Sequence, residues 1–206
     1  MGKKEYDVII FDLGEVIIDL NIDDVVEGFV AKSGKSRDEI VDLINSSKAL
    51  MKYETGRIAD EQFLSEVNEL LNADLTIEQL KEVWNSMLGY LNPDKIALIK
   101  SLSDEYMVLI LSNTNAIHEQ SFNETVKSIT GDKILKELVH TAHYSHDLKM
   151  RKPDLEIYEE LNKQHQLKGK RVLFFDDKEE NIVAAKQAGW DGIRVTYSEQ
   201  VLDYFK

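Results

Sequence analysis

The sequence has no cysteine, only 2 prolines and no long apolar segment, and each of these absences excludes a class of protein. Without cysteine, the chain has no disulfide bonds and no thiolate for catalysis or metal binding. No stretch approaches the roughly 18 consecutive apolar residues that a membrane-spanning helix needs. Proline and glycine nowhere cluster into a linker, and the chain has no repeats or low-complexity segments. We therefore expect an ordinary globular protein.

Positive charge is also scarce, with 25 Lys and Arg against 38 Asp and Glu and a formal net charge of -13. This balance argues against electrostatic binding to nucleic acid or to an anionic membrane. An anionic substrate would have to be held by local cations and backbone N–H groups. The first apolar stretch ends at Asp12 and is too short for the core of a secretory signal, so we expect a cytoplasmic protein.

The length of 206 residues suits one sizeable domain, or a core domain with a smaller appendage. Apolar runs typical of strands buried on both faces occur at residues 8–11, 107–111, 172–175 and 193–196. Helical patterns lie between them, at residues 153–161 with proline at the start, and at residues 179–188 before Gly189. Strands that alternate with helices predict a Rossmann-like α/β fold, with a parallel sheet covered by helices on both faces.

Residues 22–91 interrupt this alternation, because they carry helical signals and no convincing strand. Two capping boxes, at residues 36–39 and 76–79, each lead into an apolar-periodic helix, and a further helix starts at Pro93. We predict a bundle of roughly four helices inserted at residues 21–90, with residues 1–20 and 91–206 forming the α/β core. The joins near Leu20 and Tyr90 are expected to act as hinges.

Four polar groups follow predicted strands or precede predicted helices, which is where open α/β sheets carry their chemistry. Asp12 ends the first strand and is placed to serve as a nucleophile or metal ligand, although a lone aspartate there is more often a turn cap. Ser112 and Asn113 follow the second strand. A hydroxyl and free backbone N–H groups at that point hold a phosphate oxygen, but such residues also often cap helices.

The other two groups come later in the chain. Lys152, between Arg151 and Pro153, offers an ammonium that neutralises a phosphate and an attacking carboxylate together, whereas an isolated lysine is more often solvated. Asp176 and Asp177 follow an all-apolar strand, and adjacent carboxylates repel each other unless a cation compensates them. Mg²⁺ suits such a pair because it prefers oxygen ligands; the alternative is a helix N-cap.

In chain order these groups form the parts of a phosphoryl-transfer site: a nucleophile, a phosphate clamp, a neutralising cation and metal ligands. With them the sequence resembles the haloacid-dehalogenase-like hydrolase superfamily, whose four motifs match Asp12, Ser112, Lys152 and the pair Asp176-Asp177. The inserted helices match the cap domain of that superfamily. The resemblance covers nearly the whole chain. It is strongest to bacterial phosphatases acting on α-D-glucose 1-phosphate, and extends to the phosphatase domain of soluble epoxide hydrolases.

The resemblance implies a Mg²⁺-dependent phosphatase for a small phosphorylated metabolite, with a sugar phosphate favoured. Asp12 would attack phosphorus to form an aspartyl-phosphate that water then hydrolyses. The ligands implied for Mg²⁺ are Asp12, the Gly14 carbonyl and Asp177, with Asp176 in support. The residues implied to hold phosphate oxygens are Ser112, Asn113 and Lys152. Asn181 is expected near the metal, hydrogen-bonded to a ligand carboxylate.

Gly14 departs from the usual motif of the superfamily, in which a second aspartate protonates the leaving group and then activates water. Its loss removes a contribution of roughly 10²–10⁴ in rate. Three interpretations stay open. The substrate has a good leaving group, such as an anomeric phosphate; Glu15 or a residue of the inserted helices replaces the aspartate; or the protein binds phosphorylated metabolites with little or no turnover.

Two related activities are weaker alternatives. Phosphonate hydrolases of the superfamily also lack the second aspartate, but they need a lysine from the inserted helices, where Lys48 and Lys52 are available. Dehalogenases of the superfamily need no metal, which would leave the Asp176-Asp177 pair without a purpose. The sequence of the inserted helices identifies no substrate.

Overall fold

The computed structural model describes residues 5–206; residues 1–4, which belong to the predicted core, lie outside this range. The described strands are β1 (Val8–Phe11), β2 (Ile18–Leu20), β3 (Leu88–Leu91), β4 (Met107–Ser112), β5 (Thr141–Tyr144), β6 (Val172–Asp176) and β7 (Asp191–Arg194). The described α-helices are α1 (Ile22–Ser33), α2 (Arg37–Ser46), α3 (Lys48–Glu54), α4 (Asp60–Leu71), α5 (Ile77–Asn85), α6 (Pro93–Ser103), α7 (Ala116–Thr130), α8 (Ser145–Leu148), α9 (Leu155–Gln164), α10 (Glu179–Gln187) and α11 (Gln200–Tyr204).

A five-stranded parallel sheet in the order β5-β4-β1-β6-β7 forms the core, which confirms the predicted Rossmann-like α/β fold. The central strand β1 pairs with β4 on one side and β6 on the other, so that Phe11 lies opposite Ile110 and Phe175. The chain leaves β1 towards β4 and later returns to its other side. The carboxyl ends of these three strands therefore meet at the switch point where open α/β sheets bind ligands.

The strands at the centre of the sheet are apolar on both faces because helices cover each face. One face packs against α6, α7 and α11, and its strand residues include Ile9, Phe11, Ile110 and Phe175. The opposite face packs against α9 and α10, and its strand residues include Val8, Ile10, Leu109 and Phe174. Continuous apolar runs in β1, β4 and β6 are the expected result.

Helices α1–α5 surround a hydrophobic cluster of their own, whose largest members are Phe29, Tyr53, Phe63 and Trp84. Both predicted capping boxes are present, at the starts of α2 and α5. The structure has five helices in this segment rather than the predicted four, because Ser47 ends α2 and its side chain accepts a hydrogen bond from the Ala49 N–H at the start of α3. The division into two domains at residues 20/21 and 90/91 stays a prediction, as do the hinges.

A short antiparallel ribbon joins the inserted helices to the core, and the expectation that residues 22–91 contain no strand was wrong. In this ribbon β2 pairs with β3, with Ile18 opposite Leu91 and Leu20 opposite Leu88. The sequence signal was weak because β3 contains a glycine in four residues. A Cβ atom at Gly89 would lie 2.8 Å from the Asp19 carbonyl oxygen, so the glycine permits the two strands to approach.

Two other predicted boundaries were wrong. Pro153 does not start a helix; it lies in a turn closed by a hydrogen bond from the Asp154 N–H to the Arg151 carbonyl, and α9 begins at Leu155. The last strand occupies Asp191–Arg194 rather than residues 193–196. It is an edge strand whose first residues are polar or glycine, and an apolar run does not mark such a strand. Edge strand β5 was not predicted for the same reason.

No helix in the described part of the chain is long and apolar enough to cross a membrane. The cytoplasmic location expected from the sequence stays a prediction.

A pair of histidines, of which His143 is buried and His165 half-buried, joins β5 to the end of α9. The Nε2 atoms of His143 and His165 are 2.7 Å apart. Burial lowers the pKa of His143 to about 4, an effect strengthened by His165, and burial also lowers the pKa of His165. The folded protein therefore keeps His143 neutral at a pH where the same histidine of the unfolded chain is protonated.

We predict that this histidine pair lowers the free energy of unfolding in mild acid. Unfolded His143 binds a proton below about pH 6.5 while the folded residue binds one only near pH 4, so stability falls as the pH drops from about 6.5 towards 4. Urea denaturation at pH 7.5 and pH 5 measures the loss. In His143→Asn the loss between these two pH values is expected to be smaller than in the wild type by about 1–2 kcal/mol. An unchanged pH dependence in the variant would contradict the prediction.

Candidate active site

Three carboxylates meet at the switch point of the sheet. Asp12 follows β1, Asp176 ends β6 and Asp177 comes next. One oxygen from each of the three lies within 4.8 Å of the others. Asp12 and Asp176 are buried, whereas Asp177 is half-buried. The structure thus brings together the aspartates that the sequence assigns to the nucleophile and to the metal.

Lys152 is buried between two of these carboxylates. Its Nζ lies 2.9 Å from Asp12 Oδ2 and 2.6 Å from Asp176 Oδ2. Burial raises the pKa of Asp12, the Lys152 ammonium lowers it in part, and Asp176 raises it further. Burial by itself lowers the pKa of Lys152, but the two carboxylates overcome this effect and the pKa is raised. The ammonium is therefore held in its charged form next to Asp12.

Asn113 positions the backbone of Lys152. Its Nδ2 donates to the Lys152 carbonyl and its Oδ1 accepts from the Lys152 N–H, both at 2.9 Å. This pair of bonds resembles the pairing of adjacent strands and ties the end of β4 to the turn before α9. The sequence predicted a phosphate contact for Asn113 and missed this role, because the two residues are far apart in the chain. Ser112 beside it is buried at the end of β4.

The two aspartates of the pair differ in what they bind. Asp176 accepts at Oδ1 from the Lys178 N–H at 2.9 Å and from Asn181 Nδ2 at 2.8 Å, and at Oδ2 from Lys152. The expected hydrogen bond from Asn181 to a carboxylate of the pair is present. Burial, and then the neighbouring Asp176, raises the pKa of Asp177, while Lys178 and Lys152 lower it.

The donor set of this cluster fits a divalent cation. Three carboxylates face one ammonium, so negative charge is in excess at a place where most of the groups are buried. The oxygens are hard ligands of the kind that Mg²⁺ prefers. Because Asp176 already accepts bonds at both oxygens, Asp177 has the carboxylate that is more available to a cation.

A cavity of about 470 Å³, which we call the central cavity, lies beside the cluster and is lined by the chain neighbours of its residues, Leu13, Arg151 and Lys178, rather than by the cluster itself. The core contributes Gly14, Ser112, Asn113, Arg151 and Lys178 to its lining. The inserted helices contribute a mainly apolar wall that includes Ile44, Leu50, Met51, Trp84 and Met87, together with Glu54. A ligand in this cavity would contact polar groups on the core side and apolar groups on the opposite side.

The N-terminus of α7 forms one contact between the inserted helices and the core. Trp84 Nε1 donates to Asn115 Oδ1 at 3.4 Å, and the Trp84 carbonyl lies 3.1 Å from His118 Nε2. The other ring nitrogen of His118 is 3.2 Å from Asn115 Nδ2. Burial lowers the pKa of His118 to about 4. His118 is therefore a neutral structural residue of the cavity wall.

Residues 53–56, which we call the docking segment, form a second contact. The Tyr53 hydroxyl accepts from the Ile117 N–H at 3.2 Å, and Glu54 Oε2 lies 3.5 Å from Arg151 Nη2. Gly56 has a φ of +59°, and a Cβ atom there would lie 2.1 Å from the His146 carbonyl oxygen. Glycine is required at this close approach. No sequence pattern marks Glu54, since a single glutamate at a helix end is not distinctive.

Glu15 was named to replace the acid missing at Gly14, and Lys48 and Lys52 were named as possible lysines of the inserted helices. None of the three lines the central cavity as described. Glu15 is exposed with a φ of +58°, and its Oε1 accepts from the Leu20 N–H at 3.0 Å. Lys48 and Lys52 are exposed and are not among the described residues that line the central cavity. The geometry therefore disfavours Glu15 as a proton donor and gives a phosphonate hydrolase no cap lysine in the cavity.

Comparison with known proteins identifies similar sequences over most of the chain. A family model of haloacid dehalogenase-like hydrolases matches residues 6–189. The chain is 27% identical over 183 residues to a D-ribitol-5-phosphate phosphatase of Bacteroides thetaiotaomicron, covering 89% of this chain and 88% of that protein. It is also 27% identical over 201 residues to a sesquiterpene phosphatase of Aspergillus oryzae, covering 92% of this chain and 89% of that protein.

The fold is also similar to a solved structure. A haloacid dehalogenase-family enzyme of Bacteroides thetaiotaomicron, crystallised as a magnesium complex, superposes with a TM-score of 0.89 at 24% sequence identity. The comparison covers 98% of this chain and 100% of that one. The shared fold thus includes the inserted helices as well as the sheet.

We predict that Lys152→Met strongly destabilises the protein, because it leaves Asp12 and Asp176 buried without their cation. Breaking a buried ion pair in this way costs about 3–5 kcal/mol, which urea denaturation at pH 7.5 without added metal would measure. The matched control is Lys178→Met, whose side chain is exposed at the same edge of the sheet. It is expected to change stability by about 0.5 kcal/mol or less. Equal effects of the two variants would contradict the arrangement.

Proposed function

Because the chain belongs to the haloacid dehalogenase-like hydrolases, we propose that it is a Mg²⁺-dependent phosphatase of a small phosphorylated metabolite, with a sugar phosphate favoured. The observation that carries the proposal is the position of Lys152, buried between Asp12 and Asp176 at the switch point of the sheet. A charged ammonium beside a buried carboxylate, next to the central cavity, suits the transfer of a phosphoryl group to that carboxylate.

Asp12 is the proposed nucleophile. Its Oδ1 accepts from the Leu13 N–H at 2.7 Å, and its Oδ2 faces Lys152, so the carboxylate has a defined orientation. Attack on phosphorus forms an aspartyl-phosphate and releases the alcohol, and water then hydrolyses the aspartyl-phosphate. Ser112, the Asn113 N–H and Lys152 hold the phosphate oxygens. Asn113 has two roles in this step: its N–H holds a phosphate oxygen, and its side chain fixes the backbone of Lys152.

Asp12, the Gly14 carbonyl and Asp177 are the residues that would hold a Mg²⁺ ion, with Asp176 in support. The bound ion supplies positive charge that orients the phosphoryl group and offsets its negative charge. The excess of carboxylates over ammonium groups supports this assignment, because a phosphate dianion would otherwise meet a negatively charged site. The magnesium complex of the similar enzyme agrees with it.

Two substrate classes are favoured by separate observations. The similarity to a D-ribitol-5-phosphate phosphatase favours a phosphorylated sugar or polyol. The apolar wall formed by the inserted helices favours a phosphate ester with an apolar carbon skeleton, as does the similarity to a sesquiterpene phosphatase. The polar residues on the core side and Glu54 would hydrogen-bond a sugar, and we give preference to that class.

We predict that the purified protein releases phosphate from p-nitrophenyl phosphate in the presence of Mg²⁺, and that Asp12→Asn reduces this release to background. The amide is not a nucleophile, whereas it occupies the same volume as the carboxylate. EDTA is expected to abolish the activity of the wild type, and added Mg²⁺ to restore it. The matched control is Glu15→Gln, which removes one charge from the same loop and is expected to keep activity within about threefold. Turnover in Asp12→Asn would exclude this residue as the nucleophile.

The same assay distinguishes an enzyme from a binding protein. Gly14 leaves the site without the usual second aspartate, and that observation favours a phosphometabolite-binding protein as the alternative. Calorimetry with inorganic phosphate and Mg²⁺ would then detect binding, while no substrate would be turned over. Metal-dependent turnover would exclude the alternative.

We predict that kcat/KM is higher for sugar and polyol phosphates than for a prenyl phosphate. A panel of hexose 1-phosphates, hexose 6-phosphates, pentitol 5-phosphates and farnesyl phosphate, each assayed for released phosphate, tests this order. Leu50→Asn would replace part of the apolar wall by a polar amide. It is expected to lower kcat/KM for farnesyl phosphate more than for the sugar phosphates. A higher kcat/KM for farnesyl phosphate in the wild type would reverse the assignment of substrate class.

A further inference from the structure

A phosphatase that works through an aspartyl-phosphate needs a group that gives a proton to the leaving alcohol and later accepts one from water. Gly14 has no side chain for this purpose, and Glu15 is bonded to the Leu20 N–H. In the described part of the chain, the titratable residues that line the central cavity are Glu54, His118, Arg151 and Lys178. Of these only a carboxyl group or an imidazole can alternate between donor and acceptor at moderate pH.

His118 does not fit this role. Its Nε2 contacts the Trp84 carbonyl and its Nδ1 contacts the Asn115 side chain, so both ring nitrogens take part in bonds between the inserted helix α5 and α7. Glu54 is different, because the ion pair with Arg151 at 3.5 Å is the only polar bond that its carboxylate makes within the described part of the chain. Its side chain is 19% exposed and borders the same cavity as Gly14 and Ser112.

The docking segment holds Glu54 in place from both sides. The hydroxyl of Tyr53, the residue before Glu54, accepts a hydrogen bond at the start of α7. Gly56, two residues after Glu54, lies close to the His146 carbonyl of α8. Arg151, the residue next to Lys152, faces the Glu54 carboxylate directly. The inserted helices thus present one carboxylate to the catalytic edge of the sheet through three consecutive contacts with the core.

On this geometry, and resting on the proposed function, we propose that Glu54 is the general acid and base that replaces the aspartate missing at position 14. In the first step Asp12 forms a bond to phosphorus and the P–O bond to the leaving group breaks. The electron pair goes to the leaving oxygen, which takes the proton of the Glu54 carboxyl group. In the second step water attacks phosphorus, Glu54 takes a proton from that water, and the bond from phosphorus to Asp12 breaks. Phosphate leaves and both carboxyl groups return to their first state.

The surroundings of Glu54 suit a group that changes its protonation. Burial raises the pKa of Glu54, while Arg151 and Lys178, the charged groups that face it, lower the pKa in part. The net effect raises the pKa of Glu54, in the direction that favours the protonated form needed in the first step. The carboxylate form is then stabilised by the same two cations for the second step.

The test is Glu54→Gln assayed with leaving groups of different acidity. A p-nitrophenolate leaves without a proton, whereas the alkoxide of a pentitol 5-phosphate needs one. The variant is therefore expected to lose roughly 10²–10⁴-fold in kcat/KM with the pentitol phosphate and less than about tenfold with p-nitrophenyl phosphate. With p-nitrophenyl phosphate it is also expected to release a burst of one equivalent of nitrophenol, followed by slow turnover, because hydrolysis of the aspartyl-phosphate has lost its base.

Glu61→Gln is the matched control, since Glu61 is exposed at the start of α4 and is expected to leave both substrates unaffected. Arg151→Met distinguishes a role of Glu54 in proton transfer from a purely structural contact between the inserted helices and the core. It breaks the ion pair but keeps the carboxyl group, and loss of the cation raises the pKa of Glu54. The alkaline limb of kcat/KM for the pentitol phosphate should therefore move to higher pH in Arg151→Met and be missing in Glu54→Gln.

Equal losses of kcat/KM for both leaving groups, or no loss for either, would overturn the role of Glu54. A burst without a leaving-group effect would also overturn its role as the acid. Failure of the proposed function gives a different result, because the wild type would then show no Mg²⁺-dependent turnover of p-nitrophenyl phosphate at all. Circular dichroism and urea denaturation of Glu54→Gln, expected to match the wild type, check that the variant is folded.

Discussion

Lys152 is buried with its ammonium group between the carboxylates of Asp12 and Asp176, and the rest of the site is arranged around that contact. Each charge loses several kcal/mol of hydration on burial, so the cluster persists only where further bonds satisfy its atoms. Asn113 holds the Lys152 backbone by two bonds, and Asn181 with the Lys178 N–H satisfies the second oxygen of Asp176. Asn113 directly follows β4, whereas Lys178 and Asn181 lie after β6, just before α10 and within it. The ion pair therefore requires the parallel sheet that brings the three strand ends together.

The inserted helices contact the core in a different way. They have their own hydrophobic cluster and approach the core through a two-stranded ribbon, the start of α7 and the docking segment. Glycines occur where backbones come closest, at Gly89 against Asp19 and at Gly56 against His146. The central cavity is lined by residues of the inserted helices and of the core, and the substrate site that we propose lies in that cavity.

The sequence was most informative where a physical requirement acts over a few residues. Strands buried on both faces must be continuously apolar, and capping boxes need fixed spacing, so β1, β4, β6 and the starts of α2 and α5 were predicted correctly. Edge strands β5 and β7 and the ribbon strand β3 lack that constraint, and they were missed or misplaced. Asp12 and Asp176 were expected to lie together because parallel strands end at one edge, and Lys152 was added to them by the resemblance of the four motifs to a known superfamily. The bonds of Asn113 to Lys152 and of Glu54 to Arg151 join segments distant in the chain, and no local pattern reports them.

The glycine at position 14 and the carboxylate at position 54 are two aspects of one arrangement. A Cβ atom at Gly14 would lie 2.8 Å from Leu20 Cδ1, so the absence of a side chain lets Leu20 of β2 close over the catalytic edge. Leu20 also lines the central cavity and begins the connection to the inserted helices. An aspartate at position 14 would require the Leu20 side chain to shift, whereas Glu54 lines the cavity from the inserted helices. With the acid on the docking segment, proton transfer requires that segment to be docked on the core. The nucleophile is then paired with its acid only when the cavity is covered, and this is the state in which water is excluded from the leaving group.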